Sequence, residues 1–179
     1  AVPDVPHRLN APDGGIVDLL PFGAVETSDR AIAWPPDADA VMNAIGFRET
    51  AAAAIRMRLS GDLEIDVAAP AGQVLLKLVA WSERRSTRRG ADAYDLTLLL
   101  RHYLEAGNQD RLYEEAAELL EEPGFDREVA GALLLGRDLG SLLDPRGAAV
   151  IGGILEPEID PDGVMWLAGD LECGTEHAL

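Results

Sequence analysis

The sequence predicts an α+β fold, in which a small mixed β-sheet is followed by a helical bundle. Before residue 70, two hairpin patterns occur, and in the second, over 54–68, apolar and charged residues alternate with the period of two that is typical of strands. From Pro70 onward the apolar residues recur with a helical period, and proline suits a first helical position. Strands followed by helices are the order of an α+β domain. We therefore divide the chain into a β-rich part over 1–69, a helical part over 70–155 and a loosely ordered tail over 156–179.

Two β-hairpins are expected in the β-rich part. Asp-Gly-Gly at 13–15 is a turn signal between a short strand at 7–9 and an apolar run at 16–20. Because that run is apolar on both sides apart from Asp18, we expect it to be a central strand. A second hairpin across 54–68 is predicted by alternating apolar and charged residues on either side of a Ser-Gly-Asp turn.

Between the hairpins the sequence predicts little regular structure. Residues 26–40 are expected to form a loop, because the Trp-Pro-Pro run at 34–36 cannot continue a helix. The segment 41–45 predicts one helical turn that Gly46 ends. The run 51–59 is ambiguous, because its alanines favour helix while its later apolar residues alternate as in a strand.

Five helices are expected after residue 70, and turn residues separate them. Gly107 is expected to cap the second helix, Pro-Gly at 123–124 ends the third, and Asp-Pro at 144–145 ends the fourth. The expected helices lie over 71–81, 92–104, 110–121, 126–143 and 146–155.

The net charge of −17 argues against general nucleic-acid binding, because phosphate binding depends mainly on cations. One local exception is an arginine-rich segment at 84–89. It could form a basic patch that binds RNA, or a solvated loop whose charges offset those of nearby acidic residues. Cys173 is the one cysteine, so no disulfide can form within the chain. No apolar run is long enough to span a bilayer, and no signal-peptide pattern opens the sequence. These features predict a cytoplasmic protein without membrane association.

Asp18 is the first candidate for a functional residue. A lone carboxylate in an apolar strand is costly to bury unless a metal ion or a basic side chain pairs with it, or unless it is exposed. A strand carboxylate is a common Mg²⁺ ligand. Alternatively, Asp18 could cap the loop that follows it and have no functional role.

Lys77 is the one lysine among fifteen basic residues. Within its apolar helix it would need an anion, which could be a bound phosphate or a protein carboxylate. Alternatively, its stem lies on the core and its ammonium reaches water.

Asp92 and Asp95 are three residues apart at the start of a predicted helix, so they share a face. Two carboxylates there could hold an ion or orient a substrate hydroxyl. The alternative is that they cap the helix and interact with its dipole.

Four ordered stretches resemble the AbiEii/AbiGii-type nucleotidyltransferases of the polymerase-β-like superfamily. They are VDLLPFG at 17–23, GFRE at 46–49, the run from APAG to LKL at 69–78, and DAYDL at 92–96. The resemblance extends from about residue 7 to about residue 143. It implies a small mixed sheet with a helical region behind it, and the transfer of a nucleoside monophosphate (NMP) from an NTP to an acceptor hydroxyl on RNA or protein.

The resemblance also implies site residues. Two Mg²⁺ ions held by three carboxylates serve this chemistry in the family. Asp18 matches the third metal-binding carboxylate, and Lys77 matches the lysine near the triphosphate. Asp92 and Asp95 match the Asp-x-x-Asp motif of the helical half.

The sequence departs from the family in two respects. Ala91 stands where the family often has a basic residue, just before the first Asp of the helical motif. Nothing before Asp18 matches the Gly-Ser turn and Asp-x-Asp that supply the other two carboxylates. We therefore expect a transferase that is active in its intact form and inactive as this chain alone, the sequence being either a fragment or a degenerate relative. The alternative is a non-catalytic binding or assembly domain of the same fold. An incomplete sheet would expose an edge and an apolar face, which predicts a homo-oligomer or a protein partner that covers it.

Overall fold

The computed structural model describes residues 7–34, 41–87, 90–121 and 124–176. The chain divides into two compact units, Ala1–Ala44 and Ile45–Leu179. The predicted α+β class is confirmed. Within the described ranges, the strands form three separate antiparallel pairs, whereas the sequence predicted one mixed sheet.

The first unit begins with the predicted hairpin. Strand β1 (Arg8–Asn10) pairs with β2 (Ile16–Asp18) in antiparallel register, with Leu9 opposite Val17. Asp13 Oδ1 accepts a hydrogen bond from the Gly15 amide at 3.0 Å, which stabilises the turn. The expectation of a central strand was wrong, because β2 belongs to a two-stranded sheet and all three of its residues are exposed.

A second strand pair completes the first unit. Strand β3 (Ala31–Ala33) pairs with β4 (Val41–Asn43). The sequence had predicted a loop over 26–40 and a helical turn over 41–45, and both predictions were wrong at the residues that form these two strands. The pairing places Ile32 opposite Met42, and apolar residues opposite one another on a ladder stabilise strands. The Pro-Pro part of the expected loop lies outside the described residues.

The second unit opens with a short helix and the second predicted hairpin. Helix α1 (Phe47–Ala52) is followed by β5 (Ile55–Ser60) and β6 (Leu63–Val67), which pair antiparallel around Gly61. The ambiguous run 51–59 therefore contains both structures, and the hairpin across 54–68 is confirmed.

The two faces of the β5–β6 hairpin differ in chemistry. One face carries two cross-strand ion pairs, Arg56 with Asp66 at 2.9 Å and Arg58 with Glu64 at 3.0 Å. The other face is apolar and is 39% to 57% exposed at each of these side chains: Ile55, Met57, Leu59, Leu63 and Ile65.

Six helices follow the hairpin in the described part of the second unit. Helix α2 packs against α3, α5 and α6 and so lies at the centre of the core. The most deeply buried large side chains are Leu75, Leu112, Leu134 and Leu135. The helices are α2 (Pro70–Arg84), α3 (Ala91–Arg101), α4 (Gln109–Glu115), α5 (Arg127–Leu142), α6 (Pro145–Ile159) and α7 (Trp166–Glu176).

The predicted starts of the helices from α2 to α6 agree with the structure within one residue, whereas among their ends only that of α5 does. Helix α5 begins at the predicted place because Asp126 Oδ1 accepts hydrogen bonds from the amides of Glu128 and Val129. Helix α3 ends early, and a kinked turn (Leu104–Asn108) leads into α4, with Gly107 at a φ of 95°. The helix predicted over 110–121 is interrupted at Ala116, after which Ala117–Leu120 forms a 3₁₀ turn.

The C-terminal segment differs most from the expected loose tail. Helix α6 continues through Pro157, and α7 packs against α3. The indole Nε1 of Trp81 donates to Asp170 Oδ2 at 2.9 Å, which fastens α7 to α2. Leu167 and Leu171 add apolar contacts with the core. In the described ranges, no helix combines the length and hydropathy that crossing a membrane requires.

Two glycines allow close packing in the second unit. A Cβ atom built on Gly72 would lie 2.8 Å from Thr50 Cγ2, and one built on Gly131 would lie 2.8 Å from Leu104 Cγ. Gly136, in the same helix as Gly131, has open space around the corresponding position.

Candidate functional site

Three of the four predicted site residues meet at the surface between α2 and α3. Lys77 and Arg84 are seven residues apart on α2, which is close to two turns, so they share a face of that helix. Asp92 and Asp95 lie one turn apart on α3. These four residues form what we call the ion cluster.

Asp92 is the buried member of the ion cluster, with 5% of its side chain exposed. Lys77 Nζ lies 3.2 Å from Asp92 Oδ1, and Arg84 Nη2 lies 3.0 Å from Oδ1 and 2.9 Å from Oδ2. The N-cap residue of α3 is Gly90 and no side-chain capping hydrogen bond forms, so Asp92 does not cap the helix, although it lies in the first turn, where the helix dipole favours a carboxylate. Its charge is instead offset by two cations, as a buried carboxylate requires.

Asp95 and Lys77 form the exposed part of the ion cluster. Lys77 Nζ contacts Asp95 Oδ2, and the two side chains are 43% and 35% exposed, respectively. Partial burial acts to lower the pKa of Lys77, but hydrogen bonds to Asp95 and Asp92 outweigh it and raise the pKa above its ordinary value. Lys77 is therefore an ammonium ion at physiological pH, and its anion is the pair of protein carboxylates.

Asp18 lies in the first unit, where strand β2 ends. Both of its oxygens are bound by Arg8, with Nε–Oδ1 and Nη2–Oδ2 distances of 2.8 Å. The hydrogen bonds from Arg8 hold the pKa of Asp18 below its usual value. Among the explanations that the sequence left open, a basic neighbour together with exposure accounts for this carboxylate.

The carboxylates of the described residues do not form a two-metal site. Within the parts of the chain that the structure describes, no group of three or more His, Cys, Asp or Glu side chains is arranged to hold a metal ion. A metal ion at Asp18 would have to displace Arg8. The predicted Mg²⁺ thus stays a prediction that rests on the family resemblance.

Two arginines of the arginine-rich segment make contacts with other side chains of the second unit. Arg84 belongs to the ion cluster. The Arg85 guanidinium lies 5.7 Å from the ring centre of Trp81 and 5.1 Å from that of Trp166, within the range of cation–π attraction. Residues 88 and 89 lie outside the described residues. The two described arginines therefore make contacts that stabilise the helices.

A second polar network was missed by the sequence analysis. Arg111 binds Asp138 through Nη1–Oδ2 at 2.8 Å and Nη2–Oδ1 at 2.9 Å, and it also donates to Asn108 Oδ1 at 2.8 Å. The Tyr103 hydroxyl donates to Asp138. Because Arg111 and Asp138 are 27 residues apart on different helices, no local spacing in the sequence could have revealed the pair.

This network changes the protonation chemistry of its members. Burial, together with the hydrogen bond to Asp138, raises the pKa of Tyr103 to about 12. Hydrogen bonds from Arg111 hold the pKa of Asp138 below its usual value. The network is therefore a neutral phenol beside a fixed ion pair.

Comparison with known proteins agrees with the resemblance seen in the sequence. A family model described as the nucleotidyl transferase AbiEii toxin of a type IV toxin–antitoxin system matches residues 18–161. The matched range begins at Asp18 and includes Lys77, Asp92 and Asp95. No curated protein and no solved structure matches the chain. Since the family model covers most of the sequence, the chain belongs to the AbiEii nucleotidyl transferase toxin family.

Proposed function

We propose that this protein in its intact form transfers an NMP group from an NTP to a hydroxyl group of an RNA or protein acceptor, and that the ion cluster is part of its active site. Family membership supports the reaction class. The placement of the active site at the ion cluster rests on the exposed contact between Lys77 and Asp95. Lys77 also contacts the buried Asp92.

Lys77 would attract the phosphates of the NTP. The ion cluster contains two cations and two carboxylates, so its formal charges cancel. Arg84 already binds both oxygens of Asp92, which leaves Lys77 able to exchange its contact with Asp95 for a phosphate oxygen. A compact ammonium ion on a flexible stem suits such an exchange.

Asp95 would then be free to accept a hydrogen bond from the acceptor hydroxyl. In the transfer, that hydroxyl oxygen forms a bond to the α-phosphorus, the bond from the α-phosphorus to the bridging oxygen breaks, and pyrophosphate leaves. The hydroxyl proton passes to a base, and the half-exposed Asp95 carboxylate is in a position to receive it. Asp92 and Arg84 would position Lys77 without touching the substrate.

The test is calorimetric titration of ATP, GTP, CTP and UTP into the 179-residue chain, with and without Mg²⁺. We expect at least one NTP to bind, and Lys77→Gln to weaken that binding by about tenfold, as for the loss of one charge-assisted contact. Lys77→Arg keeps the positive charge in a planar group and should restore part of the affinity. Binding that is equal in the parent chain and in Lys77→Gln would contradict the proposed role.

Transfer itself needs a separate measurement. Each NTP with a labelled α-phosphate would be incubated with the protein in its intact form and either an RNA pool or a protein pool, and covalent label would be counted. We expect label in one pool and none with Asp95→Asn. Arg101→Gln, which removes an exposed ion pair to Glu128 at 3.4 Å, is the matched control and should keep full transfer.

A second candidate function is a binding or assembly domain of the same fold. It is favoured by the ion pair between Arg8 and Asp18, which occupies the carboxylate that would bind metal in the family pattern. Absence of NTP binding and of transfer in both assays is the result that this candidate predicts. Because the family description includes a toxin–antitoxin system, a protein antitoxin is the expected partner in either case.

A further inference from the structure

A cleft of about 440 Å³ lies within the second unit, and the network of Tyr103, Arg111 and Asp138 forms one wall. The volume falls within the range of ~300–1,000 Å³ that small-molecule sites occupy. We call it the Tyr103 cleft. It lies beside the start of α2, where Pro70 is part of its lining, and the kinked turn before α4 supplies further lining residues.

The lining of the Tyr103 cleft combines apolar and polar groups. Ile55, Pro70 and Leu142 supply apolar surface. Asn108 and Ser141 add amide and hydroxyl groups to the lining, together with the Asp138 carboxylate. A ligand with a flat apolar face and a polar edge matches this arrangement.

Hydrogen-bonding capacity remains on the polar wall. The Asn108 amide nitrogen donates one hydrogen bond, to the Tyr103 carbonyl oxygen at 3.0 Å, and carries a second hydrogen. The Ser141 hydroxyl donates to the Asp138 carbonyl at 2.7 Å, which leaves its oxygen able to accept. The wall can therefore pair with a ligand edge that has both donors and acceptors.

Charge argues against a phosphate group in the Tyr103 cleft. Arg111 is the cation of the polar wall, and Asp138 binds both of its terminal nitrogens. The wall thus has no excess positive charge, and the whole chain carries a net charge of −17. An uncharged ring with a donor–acceptor edge, such as a nucleobase, fits better than an anion.

The Tyr103 cleft is suitably placed relative to Lys77. Pro70 and Lys77 are seven residues apart on α2, so they share a face of the helix and lie about 10 Å apart along its axis. A ribose with its phosphates can span that distance. We propose that the Tyr103 cleft binds the nucleobase and ribose of the nucleotide whose phosphates Lys77 attracts, an inference that rests on the function proposed above.

The experiment separates the ring from the phosphates by comparing three ligands: an NTP, its nucleoside and tripolyphosphate. Ser141→Phe places a large side chain in the Tyr103 cleft, and Ala106→Leu fills it from another element of the lining should the first variant fail to fold. Ala148→Phe on α6 is the control, because it adds the same side chain at an exposed position outside the cleft. Calorimetry gives the affinities for NTP and tripolyphosphate, and saturation-transfer NMR detects the nucleoside.

We expect Ser141→Phe to weaken NTP binding by about tenfold, the scale of losing one base-stacking contact, and to abolish the nucleoside signal. Tripolyphosphate binding should be unchanged in Ser141→Phe and reduced in Lys77→Gln. The proposal is overturned if cleft-filling variants bind NTP and nucleoside as the parent chain does, even where Lys77→Gln loses affinity. The opposite pattern, with an effect of Ser141→Phe and none of Lys77→Gln, supports the cleft and refutes the role of Lys77.

Discussion

Arg111 and Asp138 form a two-point ion pair that joins α4 to α5, with both terminal nitrogens of the arginine bound to the carboxylate. The side chains are 37% and 22% exposed, so water screens the pair only in part. The pair also orients Tyr103 and Asn108, and it therefore fixes the kinked turn between α3 and α4.

Replacing Asp138 with Asn should lower the free energy of unfolding by about 1–3 kcal/mol, because Arg111 and Tyr103 both lose an ionised acceptor. Urea denaturation measures the change. Arg137→Gln is the control, since its ion pair to Glu118 at 2.7 Å is about half exposed on both sides and should be worth below ~1 kcal/mol. Equal losses in the two variants would show that the network contributes no more than a surface pair.

Tyr103 should be detectable by alkaline titration of phenolate absorbance. One step is expected at about pH 12, because burial and the bond to Asp138 favour the neutral phenol. Since the pKa is raised on folding, the stabilisation is complete below the unfolded value of ~10 and is lost as the pH rises towards about 12. Tyr103→Phe should remove this step, and Tyr113→Phe should keep it. A titration curve that Tyr103→Phe leaves unchanged would refute the assignment.

Substitutions of the two aspartates of the ion cluster should have different effects, one mainly on stability and the other mainly on transfer activity. Asp92→Asn should destabilise the protein by about 2–4 kcal/mol, because it leaves Arg84 and Lys77 beside a neutral buried amide. Asp95→Asn should change the free energy of unfolding by below ~1 kcal/mol, since Asp95 is half exposed, yet it should abolish transfer. Thermal unfolding and the labelled-phosphate assay test the two halves of this expectation. Full transfer by Asp95→Asn would exclude Asp95 from the chemistry.

Two glycines of α5 should respond to alanine in opposite directions. Gly131→Ala forces a Cβ atom to within 2.8 Å of Leu104 Cγ and should cost about 1–3 kcal/mol. Gly136→Ala meets open space and should stabilise the helix by up to ~1 kcal/mol, because alanine has the higher helix propensity. The melting temperatures of the two variants test this prediction. If both variants shifted the melting temperature in the same direction, the described packing around the two glycines would be contradicted.

The apolar face of the β5–β6 hairpin should promote self-association or contact with a protein partner. Light scattering coupled to size exclusion should show the parent chain above monomer mass, and Met57→Gln should shift it towards monomer. Leu133→Gln replaces a residue of similar exposure, 41% against 47%, on α5 and serves as the control. A parent chain that is purely monomeric at high concentration would leave this face without a role in self-association.

The sequence predicted local structure well where one residue type dictates it. Pro70 starts α2, Asp126 caps α5, and Gly61 turns the second hairpin. The strand at Val41–Asn43 was missed because its partner, Ala31–Ala33, lies across a Pro-rich segment that suggested only a loop. The helical C-terminal segment was missed for a related reason, since a hydrogen bond between residues 89 positions apart holds it in place.

For the candidate site, the sequence identified residue types and could not identify partners. Lys77 was conspicuous as the one lysine, and Asp92 and Asp95 by their spacing. The sequence did not single out Arg84 as the partner of Asp92, although its spacing of seven from Lys77 was visible. The pairing of Arg8 with Asp18 follows from the hairpin register and was within reach, because the two residues face each other across β1 and β2.

Because of the apolar face of the β5–β6 hairpin, the ionic strength of the solution should control whether copies of this protein associate. The paired charges on the hairpin's other face nearly cancel, while the chain as a whole carries −17. At 0.01 M salt, like charges repel over a range of ~30 Å, and at 0.15 M the range falls to ~8 Å. Dilute buffer should therefore keep copies apart, whereas physiological salt lets the apolar faces approach, so that a preparation clear in dilute buffer is expected to become turbid as salt is added.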